Sequence, residues 1–457
     1  MNATNSEAPV REPIWKAVSG FFIVALVIAV ADSAIRIYLR VHWRPNFLVC
    51  AAAIAAAGGL ILSRAAHRGA IAATDGAPHR WYFSGEAWAT GAVFVAFVAL
   101  YAATGGVAPS SNDVPVLQAV SFLRGHARID PDAATERVIF GSLSYQLHPA
   151  FPALLMIPFA AIWGERTNQT IFALLIGAFD IVLAWRLLGR MKLSISTRAW
   201  LTAFFGAGTM MWWETIAGGG WDMTRILAVG FTLGALGEVF GKARPGVVGV
   251  LAGLAALARY ELAPEFPIYL ALVYLRHRNW KELFWMAPGF ALAGGIFVAL
   301  NEIRYGSWND LGWSLVAGDR PLFQLNYFAR NLYAMMFRPL DLDQSRFPYL
   351  HPLRNGTALT FTSPAFVLAL KPDFRKLTPL VVAIGAMVAI LPALFFFWDG
   401  APQVGARHYV SAFPFFLVLM AMGMPRRADQ FTKILLVASL ALTGLVVWHI
   451  RVWGAVG

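Results

Sequence analysis

Residues 378–398 read TPLVVAIGAMVAILPALFFFW, a run without one charged side chain. A helix rises about 1.5 Å per residue and the hydrocarbon core of a bilayer is about 30 Å thick, so about 20 such residues cross it. In lipid every backbone N–H and C=O must be bonded inside the segment, which makes the run an α-helix. The alternating strands of about ten residues that a membrane barrel needs are not seen. Working outward, similar apolar runs lie at 17–37, 46–63, 87–104, 168–188, 197–213, 222–240, 246–258, 262–275, 283–300, 357–370, 409–424 and 432–450. The expected fold class is all-α, a polytopic transmembrane helical bundle of about 12 to 13 spans. The runs 246–258 and 262–275 are short and read as half-depth or tilted helices.

Composition agrees. Of 457 residues, 58% are hydrophobic and only 14% are charged. A soluble domain cannot bury that much apolar surface, so membrane lipids must cover it. The net charge is +12, from 37 Lys and Arg against 25 Asp and Glu. In a soluble chain this excess would suggest nucleic acid. Here the basic residues sit mostly in short loops, where the positive-inside bias and anionic headgroups explain them, and no nucleic-acid partner is expected. The single cysteine, Cys50, lies in an apolar run, so no disulfide or cysteine-based metal site is expected. The polar stretch 1–16 is too long for a typical signal peptide, and 17–37 reads as a retained first span.

Orientation follows from Lys and Arg. Arg64, Arg68 and Arg80, then Arg186, Arg190, Lys192 and Arg198, then Lys242 and Arg244 mark basic loops. So do Arg276, His277 and Arg278, then Lys371, Arg375 and Lys376, then Arg426 and Arg427. All are cytoplasmic together if the run 148–163, which holds Pro149, Pro152 and Pro158, does not cross. The loops 105–147, 214–221, 301–356 and 399–408 then face outward. Arg36, Arg40 and Arg44 run against this scheme. Residues 1–85 read as an added transmembrane hairpin and basic linker, and 86–457 as the main transmembrane domain. Within loop 301–356, NYFARNLYAMMF spaces apolar and basic residues as an interfacial helix does.

Chemistry concentrates in the outward loops. Asp113 precedes Val114 and Pro115 and reads either as a helix N-cap or as a general base. His148, before Pro149, is a phosphate partner or a polar residue before a turn. Glu214 to Asp222 reads ETIAGGGWD, where glycines beside carboxylates suggest a close backbone approach or a capped turn. Arg407, His408 and Tyr409 stand at the mouth of an apolar run. They read as phosphate ligands, or as snorkelling and belt residues together with Trp398. Arg259 and Glu261 interrupt an apolar stretch, where charges are costly. An ion pair between them is the simple reading, although i,i+2 side chains do not face each other on an α-helix. Asp341-Leu342-Asp343 has a D-x-D form and is taken as chance. No P-loop, G-x-G-x-x-G or H-E-x-x-H is present.

The layout resembles the GT-C superfamily of integral-membrane glycosyltransferases, in the branch of protein O-mannosyltransferases and lipid A aminoarabinose transferases. SSNDVPVLQAVSFLRGHARID resembles the first outer loop of that superfamily, LHPAFPALLMIPFAAIWG its HPP/KPP segment, and ETIAGGGWDM its second acidic loop. RNLYAMMFRPL with ALTFTSPAFVLAL resembles its late outer loop and following helix, and GARHYVSAFPFFLVLMA its RYLLPALPFL helix. The likeness covers roughly 86–424. It departs from the pattern in lacking a second acid beside Asp113 and the second proline of HPP.

The resemblance implies transfer of a sugar from a polyprenyl-phosphate-linked donor to a glycan, lipid or protein acceptor. The site would face the periplasm across an inner, cytoplasmic membrane. It implies Asp113 as base, His148 as the cationic group near donor phosphate, Asp222 as the second-loop acid and Arg407 as the late phosphate-side cation. Arg259, His408 and Tyr409 are further candidate substrate-binding residues. A divalent metal on Asp113 and Asp222 is left open. A flippase or transporter of a lipid-linked or amphipathic solute is the alternative, and an inactive scaffold the third reading.

Overall fold

The computed structural model describes residues 85–453 apart from 111, 130–136, 141–142, 310–311, 345–348, 354, 400–402 and 426. The spans expected at 17–37 and 46–63, Cys50, and Arg36, Arg40 and Arg44 lie outside the described residues.

Helix α1 (Gly85–Gly105) leads into a short helix α2 (Val114–Leu123). Strands β1 (Arg137–Phe140) and β2 (Leu143–Gln146) pair antiparallel, Arg137 opposite Gln146. Helix α3 (Phe151–Trp163) carries Pro158 inside it. Helix α4 (Gln169–Gly189) is capped by Asn168, whose side chain accepts the Ile171 N–H. The run expected as one span at 197–213 is instead α5 (Ile195–Ala207) and α6 (Met211–Ala217). It breaks because the Thr209 hydroxyl donates to the Phe205 carbonyl and accepts from the Met211 N–H, replacing helical bonds.

Helix α7 (Gly220–Val239) is buried along most of its length and packs on α3, α4 and α6. Helices α8 (Pro245–Ala258) and α9 (Phe266–His277) follow, then α10 (Ala287–Tyr305). Loop 301–356 carries α11 (Trp313–Ala317) and α12 (Phe328–Met336). Strands β3 (Asp341–Leu342) and β4 (Leu350–His351) pair antiparallel. Strand β5 (Asn355–Thr357) is followed by α13 (Leu359–Thr362), a 3-10 stretch Pro364–Leu370, and α14 (Leu377–Phe395). Strand β6 (Gln403–Gly405) pairs parallel with β5, ahead of α15 (Phe413–Gly423) and α16 (Gln430–Trp453).

Among the described residues, five helices are long and apolar enough to cross a membrane, at Gly85–Gly105, Gln169–Gly189, Trp280–Tyr305, Leu377–Phe395 and Gln430–Arg451. Of the other expected spans that are described, 222–240 is a 20-residue helix, α7, and the rest are shorter helices or helix and 3-10 pieces. The described residues are mostly helical, as expected, and among them the polar loops add three two-stranded pairs. Part of the loop backbone bonds to helix ends, as the Gln324 N–H does to the Phe395 carbonyl, and short strands satisfy part of the rest.

The helices run between two ends. At one, the basic loops meet. Arg198 pairs with Glu86 at 2.5 Å, the Ala428 N–H donates to Thr197, and Lys371 faces Asp429 at 3.8 Å. Arg244 pairs with Glu238, and His277 donates to the Ala243 carbonyl at 2.7 Å. At the other end the polar loops meet. Gln169 donates to the Asn112 and Gly218 carbonyls, Arg304 to the Gln146 and His148 carbonyls, and β5 lies beside β6. Both ends of α3 lie at this polar end: it begins beside His148, and just past it Glu165 pairs with Arg124 and Asn168 donates to the Val107 carbonyl.

Candidate functional site

A cavity of about 210 Å³ opens where the polar loops meet. Each of its walls comes from a different part of the chain. His148 arrives from the first loop, Trp221 and Arg225 from the start of α7, Trp313 and Phe323 from loop 301–356, and Trp398, Arg407 and His408 from the last loop. Ala389, Pro392, Ala393 and Phe396 from the end of α14 supply an apolar side.

The remaining wall, Arg259, Tyr260 and Glu261, comes from inside the bundle. Helices α8 and α9 form a hairpin, since their far ends meet at the basic end, at Ala243 and His277. With 14 and 12 residues, each reaches only about 20 Å, short of a 30 Å hydrocarbon core. Between them the chain unwinds. Arg259 is extended, at φ −143° and ψ 102°, and Tyr260–Glu265 is a 3-10 turn. Irregular backbone at such depth is tolerated where it lines a cavity. The unwinding also answers the i,i+2 objection: off the α-helix, Arg259 and Glu261 do face each other and form an ion pair.

Three guanidinium groups converge here. Arg225 is buried and donates through Nη1 to Glu214 at 2.8 Å and to Asp222 at 3.2 Å. Its Nε is buried with no hydrogen-bond partner among the described residues. Arg259 holds Glu261. The Arg407 guanidinium lies 4.5 Å from the Trp221 ring centre and 5.7 Å from that of Trp398, close enough for cation–π attraction. The His148 ring meets the edges of Trp221 and Trp313, with centroids 5.3 and 5.6 Å away. His408 lies against Trp398 and Phe396, and its buried Nε2 has no hydrogen-bond partner among the described residues.

Burial first, and then the surrounding arginines, push both imidazoles well below the usual histidine value of 6.5. Both therefore lean toward the neutral form, where the resemblance implied a cationic His148. A neutral ring still donates through one N–H.

Four further expectations are placed elsewhere. Asp222 does not line the cavity; it binds Arg225 from behind. Tyr409 is buried behind the wall and donates to the Asn331 carbonyl at 3.1 Å. Trp398, read as a belt residue, faces the cavity. Asp113 holds the N-cap position of α2, but its side chain makes no cap bond. It is partly buried, burial raises its pKa, and it is not among the cavity-lining residues. The chain comes close to the glycine stretch one residue earlier. A Cβ at Gly219 would lie 2.9 Å from an Asp222 carboxylate oxygen and 3.5 Å from the Asn112 side-chain nitrogen. The close approach read from the glycines is thus filled by the chain's own side chains. Asp222 gives its Oδ1 to the Arg225 guanidinium. Among the described residues no group of three His, Cys, Asp or Glu could hold a metal.

The chain matches no family model, no curated protein and no solved structure. Function has to be read from the cavity itself. Sequence reading missed Arg225, Glu261 as a cavity residue, and the tryptophans Trp221 and Trp313. One signal was available: an arginine one turn into an apolar run, three residues after Asp222, is costly enough to mark a site.

Proposed function

We propose that the chain is an integral-membrane glycosyltransferase that moves a sugar from a polyprenyl-phosphate-linked donor to an acceptor at the outer face of the membrane. The observation that carries the reading is the convergence of Arg225, Arg259 and Arg407 with two neutral imidazoles on one cavity walled by Trp221, Trp313 and Trp398. Guanidinium groups match phosphate oxygens in charge and fork geometry, and neutral imidazoles add donors without further charge repulsion. Indole faces suit the apolar face of a pyranose ring and also fix the guanidinium. The apolar wall from α14 fits a lipid chain passing toward the bilayer, since Ile384, Met387 and Leu391 on the same helix are exposed to the surrounding phase.

On this reading the donor phosphate sits against Arg407, Arg225 and Arg259, with His148 and His408 donating to its oxygens. The positive charge stabilises the phosphate as it leaves the anomeric carbon. The membrane is the inner one and the cavity end faces the periplasm, as the basic loops imply for the opposite end. A transfer assay tests the reading. Purified protein in nanodiscs receives radiolabelled polyprenyl-phosphate sugars and membrane extract as acceptor. Label moving to an acceptor supports the enzyme. Donor binding without turnover favours a flippase.

A further inference from the structure

Among the described residues that line the cavity, Glu261 is the one carboxylate. Its side chain is 30% exposed, against 0% for Glu214 and 8% for Asp222, so it alone of the three can meet a ligand. The backbone around it is built for presentation. The α8–α9 hairpin stops short of the polar end, the helix is broken at Arg259, and Tyr260 is fixed edge-on to Phe297 with centroids 4.6 Å apart. The buried Leu262 anchors the turn from below. A charged pair at this depth is costly to keep unless it serves a function.

We propose that Glu261 is the catalytic base of the sugar transfer, with Arg259 as its positioning partner. The inference rests on the glycosyltransferase reading and assigns the base to a residue that neither composition nor loop position singles out. In the step, the acceptor O–H gives its proton to a Glu261 carboxylate oxygen. The acceptor oxygen forms a bond to the anomeric carbon. The bond between that carbon and the phosphate oxygen breaks, its electron pair leaving with the phosphate. Arg259 holds the carboxylate in orientation before the step, and its charge also faces the departing phosphate. Base and leaving-group cation thus come from one hairpin tip, so their separation is fixed by three consecutive residues rather than by two loops.

The test uses the full-length protein in nanodiscs with the donor that supports transfer. Glu261→Gln keeps a hydrogen-bond acceptor for Arg259 and removes the base. Expected are donor binding within about threefold of the parent and transfer lower by about 10²-fold or more, the usual size of a general-base contribution. The acid limb of the pH–rate profile should also disappear, and formate should partly restore transfer in Glu261→Ala. Glu261→Asp is the check on folding and should retain measurable turnover. Donor binding and transfer that fall together would overturn the proposal, making Glu261 only a holder of Arg259. Transfer that survives in Glu261→Gln and is lost in Asp113→Asn would return the base to the first loop. Absence of transfer by the parent protein with every lipid-linked sugar would instead sink the underlying reading, and this inference with it.

Discussion

Arg407 rests between two indole rings, so its guanidinium is held in place before any ligand arrives. A charge-assisted hydrogen bond is worth about 1.5–3 kcal/mol, which corresponds to roughly 10- to 100-fold in affinity. Arg407→Ala should weaken binding of polyprenyl phosphate by that factor, measured by thermophoresis in nanodiscs. Arg407→Lys should fall between, because an ammonium lacks the fork. The two buried imidazoles make a second prediction. Held neutral when folded, His148 and His408 gain protons only on unfolding, so unfolding is favoured as pH drops below their ordinary 6.5. Their contribution to stability is present above about pH 6.5 and is lost as pH falls below it. The melting temperature should drop between about pH 7 and pH 5, and His408→Gln should flatten that drop. At this scale the sequence was partly legible. Arg407, His148 and His408 were identifiable because charges and imidazoles at the mouths of apolar runs stand out. Tyr409 was misassigned because a side chain behind a wall and one in front of it look alike in sequence. The lowered pKa of His148 comes first from burial and then from arginines of distant segments, neither of which a local pattern reveals.

The elements that shape the cavity depend on a few close fits. The Asn331 side chain on α12 donates to the carbonyls of Ala393, Leu394 and Phe396, at 3.0, 3.1 and 2.8 Å. These are orphan carbonyls at the end of α14, where Pro392, Ala393 and Phe396 line the cavity. Asn331→Ala should cost about 1–3 kcal/mol, seen as a lower thermal midpoint, and should loosen that wall. Further inside, α8 and α10 cross on small residues. A Cβ at Gly253 would lie 2.9 Å from that of Ala293, and one at Gly249 would run into the Met286 backbone. Close crossing on small residues is how helices associate in lipid, where apolar burial gives no drive. Gly249→Val should therefore sharply reduce the yield of folded protein, read by size-exclusion chromatography. The hairpin α8–α9 was legible as two short runs interrupted by charges. Its tip was not read as a cavity wall, because an i,i+2 pair looks wrong on a continuous helix and the break at Arg259 comes from tertiary placement.

The whole molecule separates a basic end from a polar, cavity-bearing end. The basic loops were grouped from Lys and Arg alone, and among the described residues several of them meet: Glu86 with Arg198, Thr197 with Ala428, Ala243 with His277. Hydropathy counts charges along the chain well, which is why this level was the most legible. It reads broken helices poorly, so the run 357–370 turned out to be a one-turn helix and a 3-10 stretch. The small strand pairs among the loops were missed for want of any alternating pattern longer than four residues. Sidedness is testable with a chain whose Cys50 is replaced. A cysteine at the exposed Arg278 should react with an impermeant thiol reagent only from the cytoplasmic side, and one at the exposed Asp319 only from the outer side. The most direct test of the central claim is the transfer assay with labelled polyprenyl-phosphate sugars, run beside Arg407→Ala. The account predicts label on an acceptor with the parent protein, and transfer and donor binding both reduced in the variant. Unchanged transfer in Arg407→Ala, or neither binding nor transfer across the donor panel, would contradict it.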